Sequence, residues 1–313
     1  NLSSEFSATT LADEFNTFPR IVENASAFRG LVNCWDVNHD GKQEIFAATW
    51  DYIAPDGSLV AITNSGKDFY RDNDPYMLES FAQTQGNFMN GVAIGELYDD
   101  GEQYIVSATY NDNLNTVNSV YCHKATDYDG DGYPDLHWKL DSTLINSPRS
   151  PIIADLDGDD INEVIVPSMN NVTIFEADGT IRKTISCSIS YKHLSVANVK
   201  PGGKGKQLLI PSGKTLAVYD SKGTYLSQYD VMFSGNASTP VVCDYDNDGY
   251  MESIVGELLA KEEGEIVDTI AIYAIKYKEN QVEKKKLFDY PRPLVGRVDA
   301  PFAVGDLDKY NRL

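Results

Sequence analysis

The stretch from Pro151 to Ser168, PIIADLDGDDINEVIVPS, decides the fold. An apolar run ending at Ala154 enters a loop in which Asp155, Asp157 and Asp159 alternate with other residues. A second run, Glu163-Val164-Ile165-Val166, leaves it. Runs this short, β-branched and bounded by turn formers, read as buried strands. The same sentence recurs as VNCWDVNHDGKQEIFAAT from Val32 and PVVCDYDNDGYMESIVGE from Pro240. Degenerate copies are VAIGELYDDGEQYIVSAT from Val92, SVANVKPGGKGKQLLIPS from Ser195 and FAVGDLDKYNRL from Phe302. Their first loop positions, Asp36, Glu96, Asp155, Asn198, Asp244 and Asp306, follow one another at intervals of 43 to 62 residues. One interval is the size of a four-stranded propeller blade.

Outward from each loop the pattern stays β. Leu59–Ile62, Val172–Phe175, Leu216–Tyr219 and Thr269–Tyr273 give a further strand per repeat, and Asp178-Gly179 and Ser221-Lys222-Gly223 give tight turns. The stretch 76–82 is the one weak helix candidate. The reading is all-β: a β-propeller of six to seven four-stranded blades, spanning 1–313 as a single domain. The last blade has only its first strand by Leu313, so its other strands are expected either from segment 1–31, with a strand at Phe18–Val22, or from sequence beyond Leu313. Pairing the two termini would close the ring and remove exposed sheet edges.

The loops carry chemistry. Four follow D-x-[DN]-x-D-[GD]-x-x-[DE]: Asp36, Asn38, Asp40 and Glu44; Asp127, Asp129, Asp131 and Asp135; Asp155, Asp157, Asp159 and Glu163; Asp244, Asp246, Asp248 and Glu252. Alternate positions set three oxygens on one side of a curling loop, and the ninth residue folds back from the next strand. The backbone carbonyl at the seventh position (Lys42, Tyr133, Ile161, Tyr250) adds another oxygen. Hard, multidentate oxygen rings favour Ca²⁺ over Mg²⁺, so about four calcium sites are expected. An EF-hand needs a glutamate at position twelve, where this chain has Ala47, Trp138, Val166 and Val255. Single Asp-Gly turns can cap their own backbone. Four loops that each crowd three or four carboxylates call for a counter-ion. The Glu96 and Asn198 loops lack the ligand set and are expected to hold their turns by hydrogen bonds.

Composition narrows the function. The chain of 313 residues carries 26 Lys+Arg against 47 Asp+Glu, a net charge of −21. Such a surface repels phosphate backbones and anionic lipids. No apolar run is long enough to span a bilayer. The N-terminus has no basic start or apolar core, so an export signal would already have been removed. Cys34, Cys122, Cys187 and Cys243 show no C-x-x-C spacing and read as free thiols, with two disulfides as the alternative. The four histidines are scattered and suggest no nucleophile–base pair.

The loops and their flanks resemble the FG-GAP/VCBS repeat of integrin α-chain heads and secreted bacterial surface proteins. The resemblance runs from Val32 to Leu313 and is strongest at Ala154–Val166 and Cys243–Val255. It implies that each loop joins the first two strands of a blade and cages one Ca²⁺. The Asp127 loop departs from that pattern: its spacing places it on a hairpin joining Val120-Tyr121-Cys122 to Leu136-His137-Trp138. The function expected is an extracellular or cell-surface binding and adhesion module for a glycan or protein ligand. The alternatives are a polysaccharide lyase or glycosidase, and an accessory propeller of a larger surface protein. Long loops (54–57, 68–90, 110–116, 261–267, 276–287) are the expected ligand face, with Tyr70, Tyr76, Phe81 and Phe88 able to stack on sugars or pack between blades. Glu283-Lys284-Lys285-Lys286 reads as a solvated hairpin.

Overall fold

The computed structural model describes residues 21–22, 27–28, 32–50, 58–71, 77–82, 84, 86–88, 90–110, 117–189, 192–200, 202, 204–259 and 268–292. Outside them lie the rest of 1–31, the sixth repeat from Phe302, Tyr76 and loops 54–57, 111–116 and 261–267. The chain divides into two compact units, Asn1–Ile153 and Ala154–Leu313.

In the first unit β1 (Ile21–Val22) pairs in parallel with β6 (Met77–Leu78), where a helix was the candidate. One sheet combines β2 (Ala27–Phe28), β3 (Asn33–Trp35), β4 (Glu44–Trp50) and β5 (Leu59–Ile62), with β4 central. The next contains β7 (Asn87–Phe88), β8 (Ala93–Gly95), β9 (Tyr104–Tyr110), β10 (Asn118–Lys124) and β11 (Leu136–Ser142). Its β10–β11 hairpin holds the Asp127 loop, as the spacing predicts.

The second unit has three sheets. The first is a meander of β12 (Ile152–Ala154, its start at the unit boundary), β13 (Glu163–Pro167), β14 (Asn171–Phe175) and β15 (Ile181–Ser186). The second is β16 (Ser195–Ala197), β17 (Gln207–Ser212), β18 (Thr215–Tyr219) and β19 (Val231–Met232), with a 3₁₀ turn at Ser227–Tyr229. The third contains β20 (Asn236–Ala237), β21 (Val241–Cys243), β22 (Glu252–Leu259), β23 (Asp268–Lys278) and β24 (Gln281–Arg292). Each of the five repeats that are described thus yields one antiparallel sheet of four or five strands.

The strands after the Asp155 and Asn198 loops are buried because they are apolar on both faces: Val164, Ile165 and Val166 are fully buried, as are Leu208, Leu209 and Ile210. Full burial of each such side chain contributes roughly 1.5–3 kcal/mol. In the first unit Phe46 meets Phe81 edge-on at 5.4 Å, and half-buried Tyr70 stacks on Phe81 at 5.5 Å. These two aromatics of the 68–90 segment therefore pack in the core cluster. The Glu283–Lys286 segment lies in β24 of the β23–β24 hairpin and is exposed, as a solvated hairpin requires. The Lys284 ammonium reaches over two rings, 4.0 Å from the Phe233 centre and 4.1 Å from that of Tyr273. All four cysteines are free thiols, Cys34 exposed and Cys122 buried.

Candidate metal centre

Loops 36–43, 155–162 and 244–251 join the first loop-flanking strand of a sheet to the second: β3 to β4, β12 to β13 and β21 to β22. Together with the Asp127 loop they share one backbone path. The fourth position has positive φ in all four (His39 58°, Gly130 77°, Gly158 83°, Asn247 56°), and so does the sixth (Gly41 83°, Gly132 87°, Asp160 69°, Gly249 87°). Left-handed backbone selects Gly, Asn and Asp, which is why these residue types recur there. The N–H of the seventh residue donates to the fifth-position carboxylate: Lys42 to Asp40 (2.8 Å), Tyr133 to Asp131 (2.8 Å), Ile161 to Asp159 (3.0 Å) and Tyr250 to Asp248 (3.1 Å). The first aspartate also accepts backbone N–H groups, from Asp40 and Gly41 onto Asp36 and from Gly130 and Gly132 onto Asp127.

The ninth residue closes each loop from within. Glu44, Glu163 and Glu252 are buried, and each accepts the N–H of the second loop residue: Val37 (3.1 Å), Leu156 (2.7 Å) and Tyr245 (3.1 Å). Half-buried Asp135 does the same for Tyr128 at 3.3 Å. Burial pushes the Glu44 carboxyl up against the Val37 hydrogen bond, and Asp40 and Asp36 push the same way. Glu163 rises to about 7, again through burial, with Asp157 and Asp159 reinforcing it and Leu156 and Arg182 opposing it. Glu252 is raised by burial and by Asp246, against Tyr245 and Lys276. Each of these charges is uncomfortable where it sits.

Three groups bring carboxylate oxygens within 4.8 Å of one another: Asp127, Asp129 and Asp135; Asp155, Asp157 and Glu163; Asp244, Asp246 and Asp248. In the first loop Asn38 stands where the others have a carboxylate, and its Oδ1 accepts the Asp40 N–H at 3.0 Å. Asp157 Oδ1 is buried without a hydrogen bond, and buried Glu252 Oε1 has only the Lys276 ammonium, at 3.4 Å. An all-oxygen donor set with an orphaned oxygen fits a hard divalent cation.

Two cationic side chains that sequence reasoning missed reach into the loops. Arg182 on β15 contacts Asp157 (3.0 Å) and Glu163 (2.9 Å), while its fork grips Glu176 at 2.6 and 2.7 Å. Lys276 on β23 meets Asp246 and Glu252 at 3.4 Å each, and also Asp248. Neither follows from loop spacing, because both come from strands later in the sheet. No ion pair involves the Asp36 or Asp127 loop among the described residues.

The degenerate loops are held as expected, by hydrogen bonds. Gln207 pairs with Ala197 in the register that Glu44 takes with Trp35, and it too is buried. Its Oε1 accepts the N–H groups of Val199 (3.0 Å) and Lys200 (2.9 Å). In the Glu96 loop buried Tyr104 fills the ninth place, and Gln103 bonds Glu96 at 3.3 Å. Glu102 turns instead to the neighbouring hairpin, accepting from Thr126 Oγ1 at 3.0 Å and Tyr128 Oη at 2.5 Å.

No protein-family model matches the chain, and no curated protein sequence matches it. Among solved structures it is similar to the V. cholerae biofilm matrix protein Bap1, with a TM-score of 0.50 and 15% identity over 79% of this chain and 37% of that one. The Dos1 propeller gives a TM-score of 0.46 and 10% identity over 72% of this chain and 50% of that one. BBS1N, in complex with ARL6DN, gives 0.45 and 12% over 81% and 78%. This chain therefore spans half or less of the Bap1 and Dos1 chains. The protein is all-β, built from successive antiparallel sheets of the propeller-blade type. Among the described residues no helix is long and apolar enough to cross a membrane.

Proposed function

We propose that this chain is a calcium-stabilised binding module of FG-GAP/VCBS type. It works outside the cell or on its surface, in an adhesive role, and recognises a glycan or a protein through its inter-strand loops. Its five described sheets and the sixth repeat from Phe302 belong to a ring of six to seven blades.

The observation that carries the calcium reading is internal to the chain. Gln207 does the ninth residue's structural work, accepting two backbone N–H groups, without any charge. Glutamate or aspartate takes that position in the loops that also carry a cluster of acidic or amide oxygens. The buried charge is therefore surplus to the turn and suited to a cation. A bound calcium ion would supply charge neutralisation and several bonds to oxygen, and Asp36, Asn38, Asp40 and Glu44, with their counterparts in the other loops, would hold it.

The binding role rests on the scaffold and on what its surface offers. Tyr128 and Tyr250 ride on acidic loops and are 65% and 51% exposed, which gives stacking faces of the kind that sugars use. Among the described residues every glutamate pushed upward, Glu44, Glu163 and Glu252, belongs to a loop network, which supports a metal role over an acid–base pair. The similarity to a biofilm matrix protein agrees with a surface setting. A glycan and matrix-protein array, probed in millimolar calcium and again in chelator, tests the proposal. Calcium-dependent capture is expected. Release of new reducing ends or unsaturated sugars from polysaccharides would replace the binder with an enzyme.

A further inference from the structure

We infer that Arg182 is a tethered cation competing with calcium for the Asp155 loop, so that this loop binds the ion most weakly of the four. The inference rests on the calcium reading and refines it. The guanidinium bonds Asp157 and Glu163, two residues of the ligand set, at 3.0 and 2.9 Å. A divalent ion between those oxygens requires the guanidinium to withdraw.

The guanidinium is also tethered from outside the loop. Arg182 Nε and Nη2, the latter the nitrogen that reaches Glu163, form a fork on Glu176 at 2.6 and 2.7 Å, and Glu176 lies outside the loop. Planar bidentate pairs of this kind are the strong ones, and the guanidinium keeps its charge at any working pH. Lys276 in the Asp244 loop differs. Its ammonium contacts only that loop's carboxylates and the Tyr250 ring, with no anchor beyond the loop. Among the described residues no such cation pairs with the Asp36 or Asp127 loop. The four loops therefore differ in how a neighbouring strand supplies positive charge, and the Asp155 loop is the one with a pinned competitor.

The test compares wild type with Arg182→Gln, and with Arg182→Lys, which keeps a charge and so protects folding. Melting is recorded in chelator and across a calcium titration. The metal-free variants are expected to melt lower, having lost ion pairs. Their gain on adding calcium is expected to exceed the wild-type gain, with at least one site tightened about tenfold in Arg182→Gln and less in Arg182→Lys. Adding Asp157→Asn should abolish the extra gain. A merely structural arginine would lower the metal-free melt and leave the calcium increment unchanged, which overturns the inference and leaves the calcium reading standing. No calcium response in any protein, wild type included, would overturn both.

Discussion

Replacing Asp129 by asparagine should stabilise the metal-free protein and lose most of that advantage in calcium. The ligand oxygens of Asp127, Asp129 and Asp135 lie within 4.8 Å of one another, and no cationic side chain among the described residues pairs with them. Two unit charges at that distance repel by about 0.9 kcal/mol in water and about 3.5 kcal/mol at an effective dielectric of 20. Asp129 is exposed, so the lower figure applies. Removing its charge relieves two such pairs, about 2 kcal/mol, and raises the metal-free melting temperature by several degrees. The side-chain amide oxygen introduced by the substitution would still accept the Asp131 N–H, now 3.1 Å from Asp129 Oδ1, so the turn itself is preserved. In saturating calcium the same change removes a ligand, and a tenfold loss of affinity takes back about 1.4 of those 2 kcal/mol, leaving a gain below about 1 kcal/mol. Differential scanning calorimetry in chelator and in millimolar calcium reads both shifts. Equal shifts in the two buffers, or none, would mean that the carboxylates only cap their own backbone and that the metal assignment is wrong.

Three other outcomes are expected. Burial lowers the His123 imidazole from 6.5 to about 4, so the unfolded chain takes up a proton that the fold refuses. Stability present above pH 6.5 is then lost as pH falls toward 4, by up to about 3 kcal/mol, and His123→Gln should flatten that slope in metal-free urea titrations. Gly249→Ala should cost about 1–2 kcal/mol, because φ is 87° and the added Cβ meets nothing within 4 Å, leaving backbone strain as the only cause. A chromogenic disulfide reagent should titrate one fast thiol in the native protein, Cys34. Cys122 and Cys187, whose thiols burial pushes up (Cys187 to about 12), should react only on unfolding; fast reaction of Cys122 would contradict its burial.

The sheets were legible because a repeat writes the same strand–loop–strand pattern several times, and the apolar runs at Val164–Val166 and Leu208–Ile210 leave one physical option. The four loops were legible for the same reason: left-handed positions and alternating oxygens are local properties. Charge compensation was not. Arg182 lies 19 residues beyond Glu163 and Lys276 lies 24 beyond Glu252, and only strand pairing brings them back to the loops. Aromatic placement was equally non-local. Tyr70 and Phe81 read as either ligand contacts or packing, and Phe46 in β4 decides for packing.

The chain contains its own control for what acidic loops are for. If turn formation were the whole task, the Asn198 version would serve, with Gln207 satisfying the same N–H groups at no electrostatic cost. Four loops instead retain fifteen carboxylates between them, each cluster costing free energy until a cation arrives. That cost links folding to the surrounding ion concentration, since a site filled only in the native state adds about 1.4 kcal/mol per tenfold rise in free ion above its Kd. Supplying Arg182 and Lys276 from within lowers the cost by ion pairing at two loops. At the Asp127 loop Arg71 and Lys124 lie only on the Tyr133 and Tyr128 rings, and no ion pair reaches that loop or the Asp36 loop among the described residues. On the calcium reading the dependence should be graded: the loops without an internal ion pair are expected to lose their order first as calcium falls, and the loop held by Arg182 and Glu176 to keep its shape longest.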